Sequence, residues 1–487
     1  MKQQVGVTTH KFIAGLIIAV LAFCAVSSVV CPLASAATGW SKTYGGTGND
    51  TSENIILTAD GGYAMAGWTN SYGAGGNDYW LVKTDSFGNV QWNKTYGGAS
   101  TDYCYNVYQT VDGGYLMLGY TSSFGAGARD GWLVKTDASG NMQWNKTYGT
   151  PGQELLFSLV MASDGGYLLK GVTMGQGWLV KTDVNGNMQW NKTIVTPYGS
   201  WLYTAIQTSD GGYAFAAANT TQAGTQISDA ILIKTDSSGN IQWTQTYGGP
   251  AVDVGWGLVQ TKDGGYAMSG YTVSFGAGGQ GGWLIKTDVN GNMQWNKTYG
   301  GTADDSLQGI VLTTDGGFAI AGKTSSFGAG NLDMWLLKTD SYGNVQWSKT
   351  FGGTGDDSGP DGNHVCQTAD GGYVIEGTTT SFGAGGQDFY LVKTDAFGNA
   401  PAPPAATAFC SVTVLRGWTW YFFAHSNGGV GAHTYQWYEG TTPIAGQTSM
   451  VLPVTKTTTG AYTFYCKVTD AQGMTVTSNG VTLTVIG

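Results

Sequence analysis

From residue 39 onward, apolar residues come in runs of six or seven, broken by short polar, glycine-rich stretches. In the first stretch the runs are "NIILTA", "YAMAGWT", "YWLVKT" and "VQWNKTY". Their length, their β-branched and aromatic content and the turn residues between them predict strands. "YAMAGW" barely alternates, so these strands are expected to be covered on both faces. "DGG" joins the first run to the second, and "DSFGN" joins the third to the fourth. Asp followed by glycines supplies the turn chemistry of tight hairpins. No helical pattern follows residue 30.

The same four-run pattern returns along the chain. The Trp of the "QW" position falls at Trp40, Trp92, Trp144, Trp190, Trp243, Trp295 and Trp347, and a "DGG" and a "KTD" keep step with it through seven units. A four-stranded sheet that needs cover on both faces finds it by packing on its neighbours. The expectation is an all-β fold, a seven-bladed β-propeller over residues 38–399. A linear β-solenoid is the other repeat architecture, but its periods are usually shorter. The seventh unit ends at "FYLVKTDAFGN" and runs into "APAPPAA", so it has no fourth strand of its own. "GWSKTYGG" (Gly39 to Gly46) is a spare fourth strand at the other end of the repeats. The expected use of that N-terminal strand is to close the ring and leave no edge.

In its architecture this region resembles secreted β-propeller proteins. The "KTDxxGNxxW" corner is similar to the turn-and-Trp motif of quinoprotein-type propellers, with one residue fewer, and to the Asp-box of sialidases, with different spacing. Such resemblance implies a fold, and the fold hosts many functions. "APAPPAATA" (residues 400–408) then reads as a semi-rigid linker. After it, "YQWYEG", "TTTGAYTFYCKVTDAQG" and "TSNGVTLTV" resemble an Ig-like or PKD-like β-sandwich over residues 409–487, a module common on archaeal and bacterial surface proteins. In that likeness Trp437 matches the buried Trp and Tyr462 the tyrosine corner. The usual cysteine pair does not transfer, since Phe464 occupies the expected place of the second cysteine. A Cys410–Cys466 bridge and two free thiols both stay open.

Composition narrows the function classes. The chain has 487 residues, 79 of them Gly, and carries 32 carboxylates against 22 Lys and Arg. Nothing basic is available to neutralise phosphates, so no nucleic-acid partner is expected. Lys2 and Lys11 flank an apolar run from Phe12 to Val30, with Pro32 and small residues at Ala34 to Ala36 behind it. Residues 1–37 therefore read as a signal peptide, or as an uncleaved N-terminal membrane anchor, the one membrane contact expected. A secreted or cell-surface protein follows. Asn49, Asn93, Asn145, Asn191, Asn219 and Asn296 head sequons, which suits an exported glycoprotein.

Candidate chemistry is sparse. Beyond the N-terminal segment the histidines are His364, His425 and His433, and no metalloprotease, nucleophile-elbow, haem or zinc spacing occurs. The "DGG" and "KTD" acids and the "KTD" lysines repeat with the turns and are read as structural. The hairpins are short and constant, whereas the fourth-to-first and second-to-third connections vary, which places a ligand on the variable face. The third residue of each first strand, seven before the "DGG" Asp, lies near that face: Glu53, Tyr105, Phe157, Tyr203, Trp256, Gln308 and Asn363, with His364 beside the last. Four successive aromatics flanked by polar groups suit sugar stacking or peptide capture; the competing reading is that they fill gaps between blades. Loop acids recur before the first strand (Asp50, Asp102, Asp253, Asp304, Asp356) and before the third (Asp78, Asp130, Asp333, Asp388). They suit turn capping or calcium, and Asp356, Asp357 and Asp361 make the densest group. No cofactor other than such a structural calcium is called for. The expected function is non-enzymatic binding or adhesion, with a glycan or surface protein as partner. The alternatives are a propeller enzyme, either a carbohydrate lyase or hydrolase or a quinoprotein-like dehydrogenase, and a structural envelope component.

Overall fold

The computed structural model describes residues 39–194, 200–220, 228–358, 365–400, 405–409, 411–429, 432–471 and 475–487. All regular structure among them is β. After a short strand β1 (Trp40–Tyr44), strands β2 (Asp50–Leu57), β3 (Tyr63–Thr69), β4 (Asp78–Thr84) and β5 (Val90–Tyr96) form an antiparallel sheet in chain order. Residues 102–148, 154–194, 200–247, 253–299 and 305–351 each build another four-stranded sheet of the same order. β3 and β4 are buried almost throughout, while β5 turns much of its length to solvent. The first strand begins at Asp50 rather than at "NIILTA", because Asp50 to Leu57 already pair with Thr69 to Tyr63. Polar side chains there hide backbone that already belongs to the strand.

The turns form as their residues dictate. Asp60 Oδ1 accepts from Thr58 Oγ1 (2.5 Å) and Gly62 N (3.1 Å), and Gly61 takes φ 82°, a conformation that suits glycine. In the second hairpin Asp85 Oδ1 accepts from Phe87 N (2.9 Å) and Asn89 N (2.8 Å). Between the hairpins lies a buried lysine. Lys83 Nζ donates to Asp60 (2.8 Å), to Thr84 O (2.7 Å) and to Gln91 Oε1 (2.9 Å). The same Lys–Asp pair stands at Lys135, Lys181, Lys234, Lys286, Lys338 and Lys393.

Sheets pack face to face in chain order. Tyr79 and Leu81 of the first sheet meet Met117 and Trp132 of the second, and equivalent cores follow at each later junction. The last sheet contains Tyr373–Thr379 and Asp388–Thr394, with an inner strand split into Asp357–Ser358 and Val365–Gln367. Its outer strand is β1. β1 runs antiparallel to Asp388–Thr394 with Trp40 opposite Lys393, the register that places Trp92 opposite Lys83. Trp40 is buried with Tyr63, Met65 and Trp80 of the first sheet and Phe389 and Leu391 of the last. The last sheet thus packs on the first, and first strands of neighbouring sheets touch one another. This is a propeller arrangement, not a linear stack.

Among the described residues, the strands of 405–486 pair only with one another. One sheet joins Ala405–Phe409, Thr419–Asn427 and Val451–Thr455, and a second is built around Gly460–Thr469, Thr434–Glu439 and Val481–Ile486. Phe422, Trp437, Leu452, Phe464 and Leu483 share their core. Cys104, Cys366 and Cys466 are free thiols, and Cys410 lies outside the described residues. No helix among the described residues is long and apolar enough to cross a membrane, and residues 1–38 lie outside them.

Candidate functional site

In the first six sheets the first strand is one residue longer than the stretch of second strand it pairs with. Eight residues from Asp50 to Leu57 face seven from Tyr63 to Thr69, so one must leave the ladder. The skipped residue is Glu53, and in the later sheets it is Tyr105, Phe157, Tyr203, Trp256 and Gln308. The candidate ligand residues are therefore the bulged residues, the places where a strand re-aims a side chain. The bulge needs close approach by the partner strand. A methyl group on Gly67 would overlap the carbonyl of Thr51, and glycine recurs there in most sheets.

The structure brings the aromatic members together. Tyr105 meets Phe157 edge-on with ring centroids 5.2 Å apart, and Tyr203 meets Trp256 at 6.1 Å. Second rings extend the arc: Tyr103 and Tyr120 lie 6.5 and 6.0 Å from Tyr105, and Tyr271 lies 5.1 Å from Trp256. The Arg129 guanidinium sits 5.0 Å over the Tyr120 ring. Burial, and then the Glu53 carboxylate, push the Tyr105 phenol far above its ordinary range. Gln308 is buried, and its backbone carbonyl accepts from Ser269 Oγ (2.9 Å). Asn363 and His364 lie outside the described residues.

One member was missed in the sequence. Lys170 is fully buried beneath the arc, 5.8 Å from the Phe157 ring, with Nζ donating to Leu202 O (2.7 Å) and to Tyr203 O. Burial brings its pKa down to about 7. It ties the bulge of the fourth sheet to the third. The signal was present: the same place in the other units holds Ala66, Leu118, Ala216, Ser269, Ala321 and Glu376, so a lysine there breaks the repeat.

The calcium candidates are placed differently. Asp357 is buried and accepts from Gly353 N (2.7 Å) and Ser381 Oγ (2.5 Å). Asp356 is exposed, its backbone exchanging hydrogen bonds with Thr380, and Asp361 lies outside the described residues. Among the described residues no group of three or more His, Cys, Asp or Glu is placed to hold a metal. A cavity of about 440 Å³ lies elsewhere, at the hairpin end between the fifth and sixth sheets, lined by Trp295, Leu312, Phe318, Tyr342 and the Lys286–Asp263 pair.

Fold and site define an all-β chain of four-stranded antiparallel sheets in propeller fashion. No family model matches it, and no curated protein matches it. Among solved structures it is similar to the extracellular domain assigned to a one-component system of B. thetaiotaomicron, at 10% identity and TM-score 0.43 over 91% of this chain and 57% of that one. It is also similar to a puromycin hydrolase, at 11% identity and TM-score 0.47 over 77% and 59% of the two chains. A third is Drosophila Plexin A in complex with Semaphorin 1b, at 9% identity and TM-score 0.40 over 73% and 87%. The chain thus spans less than two thirds of the length of the first of these.

Proposed function

We propose that this chain is a secreted or cell-surface binding protein whose propeller takes a glycan against the aromatic arc. In this reading residues 1–37 direct export and residues 38–399 form seven blades. Residues 400–408 are the linker, and residues 409–487 are an Ig-like module acting as spacer or second contact. The seven-unit repeat and the pairing of β1 with Asp388–Thr394 support the blade count. The buried Trp437, and Tyr462 donating to Thr458 O (3.1 Å), support the Ig-like reading. Binding needs neither a cofactor nor a calcium ion here.

One observation carries the glycan reading: the bulges of four successive sheets carry Tyr105, Phe157, Tyr203 and Trp256, which meet as two ring pairs on neighbouring first strands. Aromatic faces stack on the C–H faces of sugars, and the neighbouring Glu53 carboxylate offers acceptors for hydroxyls. A glycan array probed with the full chain tests it. Saturable binding to a subset of glycans is expected, weakened about tenfold in Trp256→Ala, a loss of about 1.4 kcal/mol. An unchanged melting temperature would show the fold intact. Absence of glycan binding, or turnover of a bound polysaccharide, would overturn the reading.

A further inference from the structure

At the loop end of the ring, carboxylates meet in pairs across the junctions between sheets. Asp78, which opens β4, faces Asp102 of the second sheet; both are buried, and Gly97 lies between them. A methyl group on Gly97 would overlap Asp78 Oδ1 and crowd Asp102 Oδ2. Gly45 stands in the same way between Asp388 and Asp50, Gly149 between Asp130 and Glu154, Gly248 between Asp229 and Asp253, and Gly352 between Asp333 and Asp357. Where the third-strand acid is replaced, by Gln176 or Gly281, the pair is missing.

At the Asp78–Asp102 and Asp50–Asp388 pairs most carboxylate oxygens are occupied. Asp102 accepts from Thr121 Oγ1, Gly98 N (2.9 Å) and Ser123 Oγ (2.8 Å), while Asp78 Oδ2 accepts from Ala74 N (2.7 Å). Asp50 accepts from Thr69 Oγ1, Gly46 N (2.7 Å) and Ser71 Oγ (2.7 Å), while Asp388 Oδ2 accepts from Ala384 N (2.8 Å). The oxygens turned toward the partner carboxylate, Asp78 Oδ1 and Asp388 Oδ1, are buried and have no hydrogen-bond partner among the described residues. Two buried carboxylates this close cannot both stay ionised without a positive charge between them. Few oxygens remain free at either pair, short of the six to eight a calcium ion takes.

We propose that the Asp78–Asp102 and Asp388–Asp50 pairs each hold a single shared proton, taken from solvent, that joins one sheet to the next, so that the loop end of the ring tightens in acid and loosens as pH rises. Asp78 Oδ1 and Asp388 Oδ1 are the protonated donors, and the facing carboxylates of Asp102 and Asp50 the acceptors. The surroundings agree. Burial first, and then the facing carboxylate, hold Asp78, Asp229 and Asp388 above the ordinary Asp value of 3.8. Facing the Asp50–Asp388 pair is the Tyr72 phenol, which donates to Gly45 O (3.0 Å), and among the described residues no cation acts on Asp388. Facing Asp102 are Tyr79 and Tyr120, with Arg129 behind the Tyr120 ring; facing Asp333 and Asp357 is Tyr390.

The sign follows from linkage. A carboxyl whose folded pKa is raised binds more protons folded than unfolded. Its stabilisation is full below the unfolded value and is lost as pH rises through the folded one. Thermal melts of the full chain between about pH 4 and about pH 9 test this, comparing wild type with the Asp78→Asn/Asp388→Asn double variant. The amide donates the same hydrogen bond without titrating. The double variant is expected to melt above wild type at the alkaline end, with the advantage vanishing at the acid end. Infrared spectra at neutral pH give the second reading: a protonated-carboxyl C=O band in wild type, reduced in the variant. Parallel melting curves with no such band overturn the proposal. So does a wild-type melting temperature that rises with calcium and falls with chelator, because a cation would then fill the pair.

Discussion

Lys83 shows how a buried charge is made tolerable in this chain. Its ammonium is almost wholly buried, yet it meets a carboxylate, a backbone carbonyl and an amide oxygen. Removing it in Lys83→Met leaves Thr84 O and Gln91 unsatisfied, a cost of about 1–3 kcal/mol in a urea melt. The partner acid gives a pH signature opposite to that of the carboxyl pairs. Burial pushes Asp60 up, but hydrogen bonds from Lys83, Thr58 and Gly62 outweigh it and hold its pKa at about 2. A depressed pKa contributes stability above the ordinary value of 3.8 that is lost as pH falls toward about 2. Asp60 is half exposed, so solvent screening keeps the effect small. Asp60→Asn should be less stable than wild type at neutral pH, and acid titration of both should bring them together near pH 2. These residues were legible because they repeat with their turns. Lys170 was not, because its role exists only where the bulge of the next sheet offers two carbonyls.

At the scale of the element, the strand set was readable and the bulge was not. Hydrophobic runs mark β3 and β4, which lie between two cores. β2 begins in "DTSE", residues that polarity alone assigns to a loop, and the pairing of eight residues against seven is invisible until that stretch is counted as strand. The list of third residues nonetheless found the bulged positions, because it was taken from their fixed distance to the "DGG" turn. The glycine opposite is what makes the bulge affordable in space. Gly67→Ala drives a methyl into the Thr51 carbonyl and forces β2 and β3 apart. Overpacking of this kind costs about 1–3 kcal/mol, readable as a lowered midpoint of chemical denaturation. Ala217 occupies the same place in the fourth sheet, so the substitution is compatible with the fold once its neighbours have adjusted.

At the scale of the whole molecule, stability depends on an element from the far end of the chain. Asp388–Thr394 would be an open edge without β1, with the polar backbone of a buried strand left unpaired. β1 also fills the last junction: Trp40 lies edge-on to Tyr63 at 5.8 Å, and Tyr44 Oη donates to Gly88 O (2.7 Å) in the first sheet. That hydrogen bond recurs where Tyr96 and Tyr148 reach Gly140 and Gly186, so β1 repeats the role of every internal fourth strand that carries the tyrosine. The difference is connectivity, since the internal fourth strands are held to their sheets by a five-residue hairpin and β1 only by pairing and packing. Trp40→Ala removes a buried indole and should cost about 3–5 kcal/mol. Trp92→Ala, at a more exposed position, should cost less. Removing residues 38–46 should do more than lower the melting temperature: the exposed edge should pair between molecules, so size-exclusion chromatography should show oligomers at concentrations where the intact chain is monodisperse. A synthetic peptide of that sequence, added in trans, should restore both readings. A deletion that melts and elutes like the intact chain would mean that the last sheet is complete without β1, and that the ring is held by the sheet-to-sheet cores alone.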